Sequence, residues 1–222
     1  MKEKMIVLTD NTGHVAVQSS TYNSVFNKKT GFFLRWGRTK ADDPDYCPFG
    51  PEIVDIEISS VCHKACSWCY KSNTSKGKNM SLKTFKSIFS KLPETVNQIA
   101  FGIGSIDANK DLWNIFEYCR SHGVIPNVTV NGERMTAQHY DNLIKYCGAV
   151  AVSNYDKDTC YNTVQELSNR GLKQVNIHQL LCQETLDKCM QVMEDSLTDP
   201  RLVGKLNAIV FLRLKPKGNR NK

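Results

Sequence analysis

From residue 53 onward, short apolar runs alternate with longer amphipathic segments, and this alternation constrains the fold more than any other feature. The apolar runs predict six strands: Ile53–Ser59, Gln98–Gly102, Ile125–Val130, Ala149–Ser153, Gln174–Gln179 and Asn207–Leu214. The intervening segments predict five helices: Ser81–Leu92, Asn109–His122, Thr136–Cys147, Asp158–Gly171 and Gln183–Leu197. Because parallel strands need crossover connections, the pattern predicts an α/β fold whose parallel sheet closes, wholly or partly, into a barrel.

Residues 1–50 show a different pattern. The runs Lys4–Thr9 and His14–Ser19 flank an Asp-Asn-Thr-Gly turn, and Phe32–Trp36 follows a Lys-Lys-Thr-Gly turn. This predicts a small antiparallel β appendage, joined to the barrel by the connector Asp42–Pro51. We expect the appendage to cover the bottom or an edge of the barrel, with substrate recognition as the alternative. The predicted organisation is an appendage with its connector over residues 1–50, a barrel over 51–214 and a basic tail over 215–222.

Three cysteines, Cys62, Cys66 and Cys69, form a C-x3-C-x2-C motif directly after the first predicted strand. In a barrel this position is the carboxyl end of a strand, where active sites lie. Three thiolates at this spacing can hold an iron-sulfur cluster and leave one iron open to a substrate. A structural zinc site needs four ligands, and only His63 and the distant Cys47 are obvious candidates for the fourth. A zinc- or cluster-stabilised binding module without catalytic activity, and a simple electron carrier, are the other interpretations.

The cysteine spacing, with the aromatic Trp68 just before the third cysteine, resembles the signature of the radical S-adenosylmethionine (radical SAM) enzymes. The resemblance implies a partial (β/α)6 TIM-like barrel and a [4Fe-4S] cluster on the three cysteines, whose fourth iron is chelated by S-adenosylmethionine (SAM). It also implies a flavodoxin- or ferredoxin-like electron donor, and reductive cleavage of SAM to a 5'-deoxyadenosyl radical that abstracts hydrogen from a substrate. Trp68 would pack near the adenine. No residue selects among peptide, nucleotide and small-metabolite substrates, and no catalytic residue is assigned.

The end of the second predicted strand, in Phe-Gly-Ile-Gly-Ser, resembles the glycine-rich motif with which this family meets the amino group of SAM. In the predicted barrel it lies beside the cysteine loop. Gly102 and Gly104 let backbone groups approach a ligand without obstruction by a side chain. Ser105 stands where the common Gly-Gly-Glu form of the motif has an acid, and Asp107 is the nearby candidate to replace that acid.

Polar residues near other strand ends complete the predicted cofactor pocket. Ser153 resembles the polar residue that contacts the ribose or carboxylate of SAM, with an ordinary turn serine as the alternative. His178, at the predicted end of the fifth strand, is a further cofactor-binding candidate, with a buried core histidine as the alternative. Weaker pocket candidates are Glu57, Asn131, Asn176 and Gln179.

The remaining composition excludes several classes of protein. No apolar run approaches the length of a membrane span or of a signal-peptide core, so we expect a cytoplasmic protein without membrane contact. The formal charge is +7, but the last ten residues contribute +5 of it, which does not support a nucleic-acid groove. The cysteines outside the motif are expected to be small buried hydrophobes, and Cys47 is also kept as an extra metal ligand.

The given sequence ends shortly after the sixth predicted strand, at Lys215–Gly218 and a few further residues. A last helix over the outer face of that strand is not predicted. We therefore expect either a barrel that is open at its side to admit a large substrate, or a second polypeptide that completes it.

Overall fold

The structure is a computed structural model that describes residues 5–64 and 66–217. Four strands form an antiparallel sheet in chain order: β1 (Ile6–Thr9), β2 (His14–Gln18), β3 (Asn23–Asn27) and β4 (Phe33–Trp36). Six strands form a parallel sheet, also in chain order: β5 (Ile53–Glu57), β6 (Gln98–Gly102), β7 (Ile125–Val130), β8 (Ala149–Ser153), β9 (Gln174–Leu181) and β10 (Ala208–Arg213). The parallel sheet forms a half-barrel, so the predicted α/β fold with a partial barrel and an antiparallel appendage is confirmed.

Five α-helices connect the parallel strands: α1 (Leu82–Phe89), α2 (Leu112–Ser121), α3 (Ala137–Tyr146), α4 (Lys157–Asn169) and α5 (Leu186–Thr198). Short 3-10 turns lie at Lys40–Asp42 and Gln183–Thr185. Side-chain caps fix three of the starts: the oxygen atoms of Ser81, Thr136 and Asp156 accept hydrogen bonds from the N–H three residues later. The predicted helices are therefore found, with ends that differ by a few residues.

Several strand boundaries differ from prediction by one or two residues, and one strand was not predicted. β5 ends at Glu57 rather than Ser59, because the chain turns there and the N–H groups of both Ile58 and Ser59 donate to the carbonyl of Gly102. β9 continues to Leu181, two residues beyond the predicted end. β3 was not predicted, since its Asn and Ser residues weaken the apolar alternation. Lys4, at the start of the first predicted run, lies outside the described residues.

The two faces of the half-barrel differ in chemistry. Val and Ile side chains such as Ile99, Val128, Val150 and Ile177 pack with the helices in a buried core. The strand period of two sends the neighbouring residues to the concave face. That face is largely polar and carries Asp55, Glu57, Gln98, Asn127, Thr129, Ser153, Asn176 and His178. A concave polar surface is thus built opposite the apolar core.

The antiparallel sheet meets the half-barrel at the amino ends of its strands. The side chain of Gln174, the first residue of β9, donates to the carbonyl of Thr30. Glu52, just before β5, accepts a hydrogen bond from the Tyr22 hydroxyl and lies 3.5 Å from the Arg35 guanidinium. The sheet therefore covers the bottom of the half-barrel, at the end opposite the cysteine motif. Within residues 5–64 and 66–217, none of the helices has the length and apolar character that a bilayer-spanning segment needs.

Candidate functional site

The cysteine motif lies on a loop that closes on itself at its base. After β5, two isolated β-bridges join the start of the loop to its end: Ser59 pairs with Asn79, and Val61 pairs with Thr74. The N–H of Cys62 donates to the carbonyl of Thr74 at 2.9 Å. These contacts hold the first cysteine at the carboxyl end of β5, the position predicted from the sequence.

The three cysteines of the motif are half-buried and form no disulfide in the described part of the chain. The N–H of Cys69 donates to the carbonyl of Cys66 at 3.2 Å, so these two residues share one turn. Burial raises the pKa of the Cys66 thiol, and the neighbouring Cys62 and Cys69 raise it further, because thiolates close together repel one another. A bound metal would remove that repulsion, since it binds thiolates and releases their protons.

The donor set fits an iron-sulfur cluster better than zinc. Cysteine thiolates are the ligands of iron-sulfur clusters, and three of them lie on this loop. In the described part of the chain, no three Cys, His, Asp or Glu side chains already form a metal cage, and His63 is exposed on the loop. The prediction of Cys47 as an extra ligand is wrong, because Cys47 lies in the connector and is buried against Val17 of β2.

The glycine-rich end of β6 packs directly under the cysteine loop. A Cβ atom on Gly104 would lie 2.2 Å from the carbonyl oxygen of Val61 and 2.6 Å from the Cβ of Cys62. Only glycine permits this approach. The N–H of Ser105 donates to the same Val61 carbonyl at 3.1 Å, and the Asn131 amide donates to the carbonyl of Gly104 at 3.3 Å. The structure therefore places the two predicted segments side by side.

A charged pair lies over the other glycine of this segment. The Lys71 ammonium lies 3.1 Å from the carboxylate of Glu57, and a Cβ on Gly102 would lie 2.5 Å from that ammonium. Glu57 is thus on the concave face, as expected for a pocket residue. Asp107, the predicted replacement for the acid of the motif, lies 3.9 Å from the guanidinium of Arg134.

Lys64, between the first two cysteines, ties the loop to two neighbouring strands. Its ammonium forms an ion pair with Glu133, which follows β7, and lies 5.2 Å from the ring centroid of Tyr155, which follows β8. The Trp68 ring lies 6.4 Å from the same tyrosine ring. Burial raises the pKa of Tyr155 to about 12, and the three nearby cysteines add to the shift. We name Lys64, Glu133, Tyr155 and Trp68 the loop clasp.

Sequence reasoning missed the clasp lysine and its partners. Lys64 and Glu133 are 69 residues apart, and neither belongs to a recognisable motif. Tyr155 had a weak signal, since it follows the polar end of the fourth predicted strand two residues after Ser153. Trp68 was predicted, and its position beside Tyr155 leaves an aromatic surface at the edge of the site.

Ser153 lies at the end of β8, opposite His178 in the register of the sheet. His178 is not at a strand end as predicted, because β9 continues past it. Its Nδ1 lies 3.4 Å from the hydroxyl of Thr129, and burial lowers its pKa, which favours the neutral ring. Gln179 is wrongly predicted as a pocket residue: its side chain is buried on the helix-facing side and accepts from the Asn154 amide at 2.8 Å.

No protein-family profile and no curated protein matches this chain. Solved structures do match. SuiB from Streptococcus suis bound to its precursor peptide SuiA has a TM-score of 0.67 and 11% identity over 96% of this chain and 62% of the SuiB chain. SuiB bound to S-adenosylmethionine has a TM-score of 0.63 and 13% identity over 78% of this chain and 43% of that one.

The chain shares the fold of SuiB. A third solved structure, anSMEcpe with bound S-adenosylmethionine and the Cp18Cys peptide, agrees with this, with a TM-score of 0.54 and 15% identity over 75% of this chain and 53% of that one. The chain spans between 43% and 63% of the SuiB chains it matches. In this chain, the cysteine loop after β5 and the glycine-rich end of β6 are neighbours at the carboxyl end of the half-barrel.

Proposed function

We propose that this chain is a radical SAM enzyme that binds a [4Fe-4S] cluster and SAM and abstracts hydrogen from a substrate. The observation that carries the proposal is the position of three cysteine thiols on one loop after β5, packed on a glycine-rich strand end. A binding module would not require this position, whereas the carboxyl end of a barrel strand is where catalysis occurs. The shared fold supports the same conclusion.

Cys62, Cys66 and Cys69 would hold the cluster. When bound with SAM, the cluster supplies the electron that generates a 5'-deoxyadenosyl radical. Gly102 and Gly104 expose backbone carbonyls and amides beside the loop for the amino acid part of SAM. Four side chains are proposed to complete the pocket, namely Trp68 at the adenine and Ser105, Ser153 and His178 at polar groups of the cofactor.

The substrate enters this proposal only by chemical class. SuiB and anSMEcpe have each been solved with a bound peptide, which supports a peptide substrate for this chain. The polar concave face offers amide and hydroxyl groups that can hydrogen-bond to peptide groups. An external electron donor of the flavodoxin or ferredoxin type is also part of the proposal.

Anaerobic reconstitution tests the function. We expect roughly four iron and four sulfide per chain, and release of 5'-deoxyadenosine when SAM is added to the reduced protein. Substituting Ala for any one of the three motif cysteines should abolish both, whereas Cys182→Ser, between β9 and α5, should change neither. One tightly held zinc would instead identify a binding module. A full iron content without 5'-deoxyadenosine would identify an electron carrier.

A further inference from the structure

β10 is one of the two edge strands of the half-barrel, the other being β5, and within the described residues it is paired only with β9. The N–H of Asn207, just before β10, donates to the carbonyl of Val175 at 2.8 Å. Backbone groups alternate in direction along a strand, so the N–H and C=O groups of Val210 and Leu212 point away from β9. This edge therefore offers a row of backbone donors and acceptors to another extended chain.

Large apolar side chains flank this edge on both faces. Val210 lies opposite His178 in the register, which places it on the concave face, and Leu212 is on the same face two residues later. Phe211 lies on the opposite face. Their exposed fractions are 37%, 43% and 37% for Val210, Leu212 and Phe211. Proteins usually protect an edge with charge, proline or a bulge, and an edge with exposed apolar residues favours strand addition.

The free edge leads to the cysteine loop. Lys215, two residues after β10, places its ammonium 4.5 Å from the ring centroid of Tyr70. Tyr70 directly follows Cys69, so a chain that runs along β10 arrives beside the third motif cysteine.

The end of β10 that lies near the cysteine loop is strongly basic. Arg213, Lys215 and Lys217 follow one another at alternate positions, and residues 200–217 contain no Asp or Glu. The ammonium of Lys71 lies 5.9 Å from the same Tyr70 ring. A partner with carboxylates at this end is favoured by charge, and a basic partner is repelled.

We propose that the substrate peptide binds as an added strand along the free edge of β10. Its apolar residues lie beside Val210, Leu212 and Phe211, and its acidic residues lie at the Arg213–Lys217 end, next to the cysteine loop. This mode of recognition combines backbone hydrogen bonds with side-chain selection at alternate positions. The inference rests on the proposed function for the chemistry, while the binding step stands on the geometry of β10.

The probe is a labelled peptide with a β-prone stretch and an acidic end, acetyl-Val-Thr-Val-Thr-Val-Asp-Asp-amide, together with the peptide of reversed sequence. Binding to the reconstituted chain is measured by fluorescence anisotropy, and amide protection by hydrogen exchange. Two control peptides carry Lys in place of Asp, or N-methyl groups that remove backbone donors. We expect at least one acidic peptide to bind and to protect the amides of Val210 and Leu212, and both controls to bind at least about tenfold more weakly.

Val210→Pro is the decisive variant. It removes an N–H that points to the free edge and leaves the hydrogen bonds to β9 in place, which is the position in a sheet where proline is tolerated. Val210→Thr is the matched control, because it keeps the N–H and the β-branched shape. We expect Val210→Pro to weaken peptide binding at least about tenfold and Val210→Thr to change it less than about threefold.

If Val210→Pro does not fold, as judged by circular dichroism, the double variant R213E/K217E tests the charge argument with an intact backbone. It should reverse the preference, so that the Lys peptide binds more tightly than the Asp peptide. The inference is overturned if the acidic peptides fail to bind below about 1 mM, if Asp and Lys peptides bind equally, or if the Pro and Thr variants behave alike. Release of 5'-deoxyadenosine without peptide binding would overturn only this inference, and peptide binding without cleavage of SAM would overturn only the proposed function.

Discussion

Replacing Lys64 by Met should loosen the cysteine loop, because the Lys64 ammonium joins it to the ends of β7 and β8 through Glu133 and the Tyr155 ring. Met keeps most of the length of the side chain and removes its charge. The ion-paired side chains are 22% and 42% exposed for Lys64 and Glu133, so solvent screening limits their interaction to about 0.5–1 kcal/mol. The cation–π contact adds about 0.5–1 kcal/mol.

If the closed loop is needed to bind SAM, a loss of about 1–2 kcal/mol raises the dissociation constant of SAM roughly 5- to 30-fold. Isothermal titration calorimetry of SAM with the reconstituted protein measures this directly. Iron release to a chelator provides a second readout that does not depend on activity, and it should become faster. Lys83→Met, on the exposed side of α1, is the matched control and should alter neither quantity.

A double-mutant cycle tests whether Lys64 acts through Glu133. Because each single variant breaks the same ion pair, Glu133→Gln should share part of the loss seen in Lys64→Met, and the double variant should lose less than the sum. Lys64→Arg should restore most of the affinity. Full additivity of the two single variants, or an unchanged SAM affinity in Lys64→Met, would refute the clasp.

Two further predictions concern stability. Gly104→Ala forces a Cβ to within 2.2 Å of the Val61 carbonyl oxygen, so it should lower the free energy of unfolding by about 1–3 kcal/mol in urea titration; an unchanged midpoint would contradict the packing of β6 under the loop. Burial by itself raises the pKa of Asp195, but hydrogen bonds from Lys157, Tyr161 and Gln191 outweigh it and lower that pKa. The folded-state pKa is then below the unfolded value of about 4, so this stability is present above the unfolded pKa and is lost as the pH falls through the folded-state pKa. In Asp195→Asn the melting temperature should therefore fall less steeply than in the parent as the pH drops below about 4, and an equally steep fall would refute the assignment.

Local patterns predicted much of this protein. The order of strands and helices follows from hydrophobic periodicity, because this pattern depends only on residues that are close in the sequence. An error of a few positions at the ends of a strand or helix does not change that order. The place of the three cysteines follows from the same logic, since a motif directly after a strand of a parallel barrel must lie at its carboxyl end. β3 lacks a strong alternation of apolar and polar residues, and hydrophobic periodicity therefore did not predict this strand.

Only the tertiary structure decided which residues meet. The sequence left open whether His178 or Gln179 faces the concave side, because His178 follows the apolar Ile177 and Gln179 precedes the apolar Leu180. The packing of Ile177 against the helices settles it. The pairing of Lys64 with Glu133 depends on the distance between two loops, which no local pattern encodes. The free edge of β10 is likewise a property of the sheet, since a strand becomes an edge only through the strands that do or do not lie beside it.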